Sequence, residues 1–219
     1  MKKNVFLIVI AVLLIFIFGG IYVALYTLNY ITHDMYDNEY FKIETYKSSV
    51  DKDGDGVDDQ TDILNSVREY ISTKPKYKSK YYNGGYPDDE YGVCTDVVAF
   101  GLKGAGYDLM ELVDEDIKNN PDNYDSDVGD KNIDFRRVRN LKVYFKNNTI
   151  SLTTSLDKIE EWQGGDIVIF NSHIGIISDK RNKDGVPFII HNANPVQSSY
   201  EEDLLLYGYY KIVGHYRMS

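Results

Sequence analysis

From residue 5 to residue 31 the chain carries no charged side chain, and Ile, Leu, Val and Phe dominate the run. Such a stretch exceeds the ~20 residues an α-helix needs to cross the hydrocarbon core of a bilayer. Residues 1–31 are therefore expected to form one membrane-spanning helix, not part of a globular core. Lys2 and Lys3 precede the run and no basic residue follows it closely. By the positive-inside rule the amino terminus stays inside and the rest lies outside the membrane. The competing reading is a cleaved signal peptide, whose apolar core usually has ~7–15 residues and ends at a small-x-small site. The run here is longer, and Val23-Ala24-Leu25 is a poor site, so an uncleaved, single-pass anchor is the expectation.

Beyond the anchor the chain is acidic. Setting aside Lys2 and Lys3 leaves 22 basic against 34 acidic residues, a net charge of −12. That balance excludes nucleic acid as a partner and disfavours an anionic lipid surface, while cations and neutral or basic substrates remain compatible. A length of 219 residues accommodates one well-packed domain with attachments. The 20 tyrosines are expected to be half-buried or to line a groove, because the ring is apolar and the hydroxyl seeks a partner. The single cysteine, Cys94, has no partner for an intramolecular disulfide. An exported domain with one thiol leaves three choices, a buried inert group, an intermolecular bridge or a reactive group.

Residues 32–62 read as a polar connector that ends in an acidic loop, and 63–219 as the folded domain. Ile63, Leu64, Val67, Tyr70 and Ile71 fall at helical spacing, predicting a short amphipathic helix over 63–71. Residues 74–90, rich in Tyr, Lys, Gly and Pro, predict an extended loop. An apolar helix is expected from Cys94 to about Gly104 or Gly106, a second over 109–118, and a third over 138–145. Short β-branched or aromatic runs at 166–170, 174–178, 188–191 and 209–216 predict antiparallel strands. Helices followed by strands imply an α+β domain.

A cysteine is a strong nucleophile as a thiolate, and its pKa falls at a helix amino terminus or beside a histidine. Cys94 stands at an expected helix start, where backbone N–H groups are also placed to hold an oxyanion. Asp96 opposes this, since a nearby carboxylate raises a thiol pKa unless it turns away. Four histidines are available as a base. His33 lies in the connector and His215 near the carboxyl end. His173 precedes one expected strand and His191 ends the next, so neighbouring strands would bring them together, with His191 orienting His173. The plainer reading of each is a hydrogen-bonded structural histidine.

The segments YYNGGYPDDEYGVCTDVV, GGDIVIFNSHIGIISD and FIIHNAN resemble the NlpC/P60-like cysteine hydrolases. More closely, GVCTDVV, IDFRRVRNL, GDIV, HIGI, IIHN and GHYR in that order resemble the DUF1287 family, a branch of that superfamily, over roughly residues 63–217. The resemblance implies a papain-like α+β fold and hydrolysis of an amide, often a peptide bond in cell-wall peptidoglycan. It implies Cys94 as nucleophile, His173 as general base and His191 as the third, orienting residue, with Asn192 in reserve. One departure is that Asp follows the cysteine, as Cys94-Thr95-Asp96, where many NlpC/P60 members carry Asp directly before it. Alternatives on the same fold are a non-catalytic domain that binds wall glycan or peptide, and a thiol acyltransferase. Arg136-Arg137 either forks a substrate carboxylate or makes structural ion pairs.

The loop DKDGDGVDDQTD, residues 51–62, fits D-x-D-x-D-G-x-x-D-x-x-D without a mismatch. Carboxylates at alternating positions, with glycine sixth, let a short loop wrap a hard cation that takes 6–8 oxygens. Asp51, Asp53, Asp55, Asp59 and Asp62 would supply side-chain oxygens and Val57 a backbone carbonyl to a structural Ca2+. The pattern resembles EF-hand loops and, more closely, thrombospondin type 3 repeats. It departs from an EF-hand in its twelfth residue, Asp62, in polar Asp58, and in having no entering helix. The alternative is a solvated acidic linker.

Overall fold

The computed structural model describes residues 2–206 and 211–218. The chain divides into two compact units, Met1–Asp34 and Met35–Ser219. The first contains helix α1 (Lys2–Thr27). Its segment Asn4–Thr27 is, among the described residues, the one helix long and apolar enough to cross a membrane, a test that a signal sequence also passes. Its large apolar side chains are exposed along its length, Phe16 by 73%.

In the second unit, α2 (Asp59–Ser72) begins four residues before the apolar spacing starts at Ile63, because Asp58 accepts the Thr61 N–H and caps it there. The acidic run thus ends inside a helix. Helix α3 (Cys94–Gly104) follows, then α4 (Leu109–Asn119), capped by Asp108, the single turn α5 (Lys131–Asp134), and α6 (Val138–Asn148). Within the loop expected at 74–90, strand β1 (Lys76–Tyr77) runs parallel to β2 (Tyr91–Gly92).

Six further strands are β3 (Ile150–Ser151), β4 (Ile167–Phe170), β5 (Ile174–Arg181), β6 (Pro187–Ile190), β7 (Glu201–Glu202) and β8 (Ile212–Arg217). They form one sheet in the order β3-β8-β4-β5-β6-β7, with every pair antiparallel. The expected strand at 209–216 is β8, and its first two residues, 209 and 210, lie outside the described residues. The unit is a mixed α+β domain.

Alternation along β4 sets the layers. Ile167 and Ile169 join the core beneath the helices, with Val97, Val98 and Leu102 of α3, Val67 of α2 and Leu141 of α6. Val168 and Phe170 face the opposite side, with Trp162, Ile177 and Leu205. Helices α2 and α3 cross closely. A Cβ on Gly101 would lie 3.4 Å from the Ile63 carbonyl oxygen, and one on Gly104 would lie 1.9 Å from Ser66 Oγ. That contact seats α3 so that its first residue, Cys94, meets the start of β5.

Candidate active site

Cys94 opens α3 after Val93, whose extended backbone turns the chain into the helix. The carboxylate of Asp96 accepts the Val93 N–H at 2.8 Å, closing the first turn in place of a cap side chain. It also receives Arg136 in a two-point fork, Nε to Oδ1 at 2.6 Å and a terminal nitrogen to Oδ2 at 2.9 Å. Both side chains are sealed from solvent, at 1% and 0% exposure. Arg136 further donates to the Lys80 carbonyl at 2.5 Å, and Arg137 bonds Asp134 and the Asp127 carbonyl. The arginine pair is therefore occupied by the protein's own acceptors, and Asp96 is fastened to the helix start.

The thiol is buried, with 9% of the residue exposed. Burial pushes its pKa up to about 11; the backbone N–H of Ile174 and those of Thr95 and Cys94 itself hold it down in part, and the Asp96 charge adds to burial. The Ile174 contact places the sulfur beside the residue that follows His173.

His173 and His191 meet as the strand order requires. β5 and β6 are adjacent, and His173 Nε2 lies 2.7 Å from His191 Nδ1. His191 is fully buried, and its Nε2 lies 3.1 Å from Glu202 Oε2 on β7. With Glu202 as a carboxylate, His191 donates from Nε2 and accepts at Nδ1, so His173 donates from Nε2 and carries its lone pair on Nδ1. Burial lowers the His173 pKa to about 3, with His191 adding, and burial alone takes His191 to about 3.

Glu202 was not among the residues the sequence nominated. It sits on a two-residue strand in SSYEED, where no periodicity separates it from Glu201 or Asp203. Only the pairing of Ile190 with Glu201 sets it beside His191. Asn192, held in reserve, instead donates to the Pro75 carbonyl at 2.8 Å and the Gly92 carbonyl at 3.2 Å, tying the residue before β1 to the end of β2. Beside it opens a cleft of about 370 Å³, lined among others by Tyr77, Tyr91 and Tyr200.

The other motif residues build the frame. Asp166 of the GDIV segment is wholly buried and forks with Arg217, at 2.7 and 2.8 Å. It also meets His215 Nε2 at 3.0 Å and Gln60 Nε2 at 2.8 Å, and the His215 ring stacks on Trp162 with centroids 3.8 Å apart. Gly165 before it has φ of +92°, with a Cβ position 2.6 Å from the Gln60 carbonyl oxygen, so only glycine fits.

In the acidic loop, side-chain oxygens of Asp51, Asp53 and Asp55 lie within 4.8 Å of one another. Asp59 is drawn elsewhere, its oxygens accepting the Lys52 N–H at 2.7 Å and the Tyr107 hydroxyl. Val57 donates its N–H to Asp55 Oδ1. Asp62 is buried in the first turns of α2.

A family model described as "Domain of unknown function (DUF1287)" matches residues 64–218, a span that holds Cys94, His173, His191 and Glu202 and leaves out the acidic loop. The "Uncharacterized protein YijF" of Escherichia coli (strain K12) is 38% identical over 168 residues, covering 71% of this chain and 80% of that protein. No solved structure matches.

Proposed function

The chain belongs to the DUF1287 family, and from that premise and the surroundings of its one thiol we propose that it is a cysteine amidase or peptidase of NlpC/P60-like, papain-type fold. The observation that carries the reading is the buried hydrogen-bonded series His173–His191–Glu202, with the thiol of the helix-opening Cys94 held by the backbone N–H of Ile174, the residue after His173.

In this reading the resting pair is uncharged, since the thiol is held up at about 11 and the imidazole down at about 3. Proton transfer from Cys94 to His173 Nδ1 therefore accompanies attack of sulfur on the substrate carbonyl. The S–C bond forms, the carbonyl π electrons move to oxygen, and backbone N–H groups at the start of α3 hold that oxyanion. Its collapse breaks the C–N bond, and His173 gives its proton to the departing amine. Water, deprotonated by His173, then hydrolyses the thioester and restores the thiol. His191 and Glu202 fix the tautomer of His173 and stabilise its imidazolium.

With α1 as a single-pass anchor, the domain works outside the membrane on peptide or related amide bonds of the cell wall, admitted along the tyrosine-lined cleft. A second reading has one observation in its favour. Cys94 is 9% exposed and His173 6%, which suits a domain that binds wall peptide or glycan without cutting it. An amine taking the thioester in place of water would make the protein an acyltransferase.

Incubating the full chain in detergent with purified peptidoglycan, and weighing the soluble products by mass spectrometry, separates these readings. The hydrolase reading expects fragments heavier by water from the native protein and none from Cys94→Ala or His173→Ala. It expects Glu202→Gln to slow release by about 10²–10⁴-fold. Co-sedimentation without products selects the binding reading, and fragments carrying an added amine select the acyltransferase.

A further inference from the structure

The loop at 51–62 takes no part in that chemistry, and its electrostatics are unbalanced. Asp51 accepts the N–H groups of Gly54, Asp55 and Gly56, which curls the chain and turns the carboxylates of Asp53 and Asp55 toward it. These three are exposed. Asp62, in the first turn of α2, is not: it is 8% exposed, and its Oδ2 has no hydrogen-bond partner among the described residues. The like charges of Asp55, Asp53 and Asp51 bear on it. A buried carboxylate oxygen without a donor, under the like charges of three more carboxylates, is costly on both counts. Neither Asp58 nor Asp59 relieves it, since Asp58 is held by Ser48 and Thr61, and Asp59 by Lys52 and Tyr107.

We propose that Asp51, Asp53, Asp55 and Asp62 bind one Ca2+. All four donors are carboxylates, with no histidine or cysteine to favour zinc or copper. Three carboxylates on a curled loop and one on α2, completed by water, suit the 6–8 oxygens at variable angles that Ca2+ accepts, whereas Mg2+ demands an octahedron and keeps most of its waters. The ion joins the loop to the first turns of α2 through Asp62. The loop in turn packs on the turn after α3, where a Cβ on Gly106 would lie 3.1 Å from Asp53 Cβ. The ion thus fastens the connector to both helices that set the position of Cys94, whether or not that thiol is catalytic.

The test uses the full chain in detergent, stripped with chelator and titrated with CaCl2 or MgCl2 while thermal unfolding is followed. Saturating CaCl2 is expected to raise the midpoint by roughly 5–10 °C, with calorimetry giving one ion per chain and MgCl2 giving a smaller rise. The double variant Asp51→Asn/Asp53→Asn is expected to lose the CaCl2 response yet to unfold no earlier than the stripped native chain, because less charge is left to repel. Asp59→Asn is expected to keep the response. An unchanged midpoint for the native chain, or an equal rise in the double variant, overturns the assignment.

Discussion

Asp96 lies two residues from the thiol, and its side chain is turned into the protein, forked by Arg136 and bonded to the Val93 N–H. Removing one partner of a buried ion pair leaves the other charge uncompensated, at about 3–5 kcal/mol. Asp96→Asn is therefore expected to lose stability of that order, read from the urea midpoint of the full chain. The same change takes away one of the two causes that raise the Cys94 pKa. Alkylation of Cys94 should then rise at a lower pH than in the native protein. At this scale the meeting of His173 and His191 was legible from the order of the expected strands. Glu202 was not, because a glutamate in an acidic stretch looks like a solvated one until a neighbouring strand buries it.

At the scale of elements, apolar spacing located α3, α4 and α6 to within a few residues, since each buries one face in the same core. It placed the start of α2 late, because a capping aspartate begins that helix and carries no apolar signal. Strands β3 and β7 were invisible for a related reason: two residues are too few for alternation. The crossing of α2 and α3 depends on missing side-chain volume. A methyl at Gly104 would meet Ser66 Oγ at 1.9 Å and Ser66 Cβ at 2.3 Å. Gly104→Ala is expected to cost about 1–3 kcal/mol by overpacking, seen as a lower thermal midpoint. A variant as stable as the native protein would mean that the two helices separate without penalty.

For the molecule as a whole, the buried histidines make folding sensitive to acid. Folded, His173 and His191 stay uncharged down to about pH 3; unfolded, they protonate near 6.5. Between these values the unfolded chain binds more protons, so their contribution is full above about 6.5 and is lost as pH falls toward 3. The loss approaches about 1.4 kcal/mol per pH unit for each ring. Denaturation midpoints from pH 7 to pH 4 should fall more steeply for the native chain than for His173→Asn/His191→Asn; parallel slopes would remove the two rings as the cause. By itself the sequence determined the apolar helix, the α+β order of elements, the acidic loop and the candidate thiol and histidines, because periodicity, charge and residue chemistry are local properties. Only the tertiary structure decided the rest. It turned Asp96 and Arg136 toward each other, gave Asp59 to Tyr107, buried Asp62 with one oxygen unpartnered, and brought Glu202 to His191. Each of those choices depends on which buried donor meets which acceptor across elements far apart in the chain.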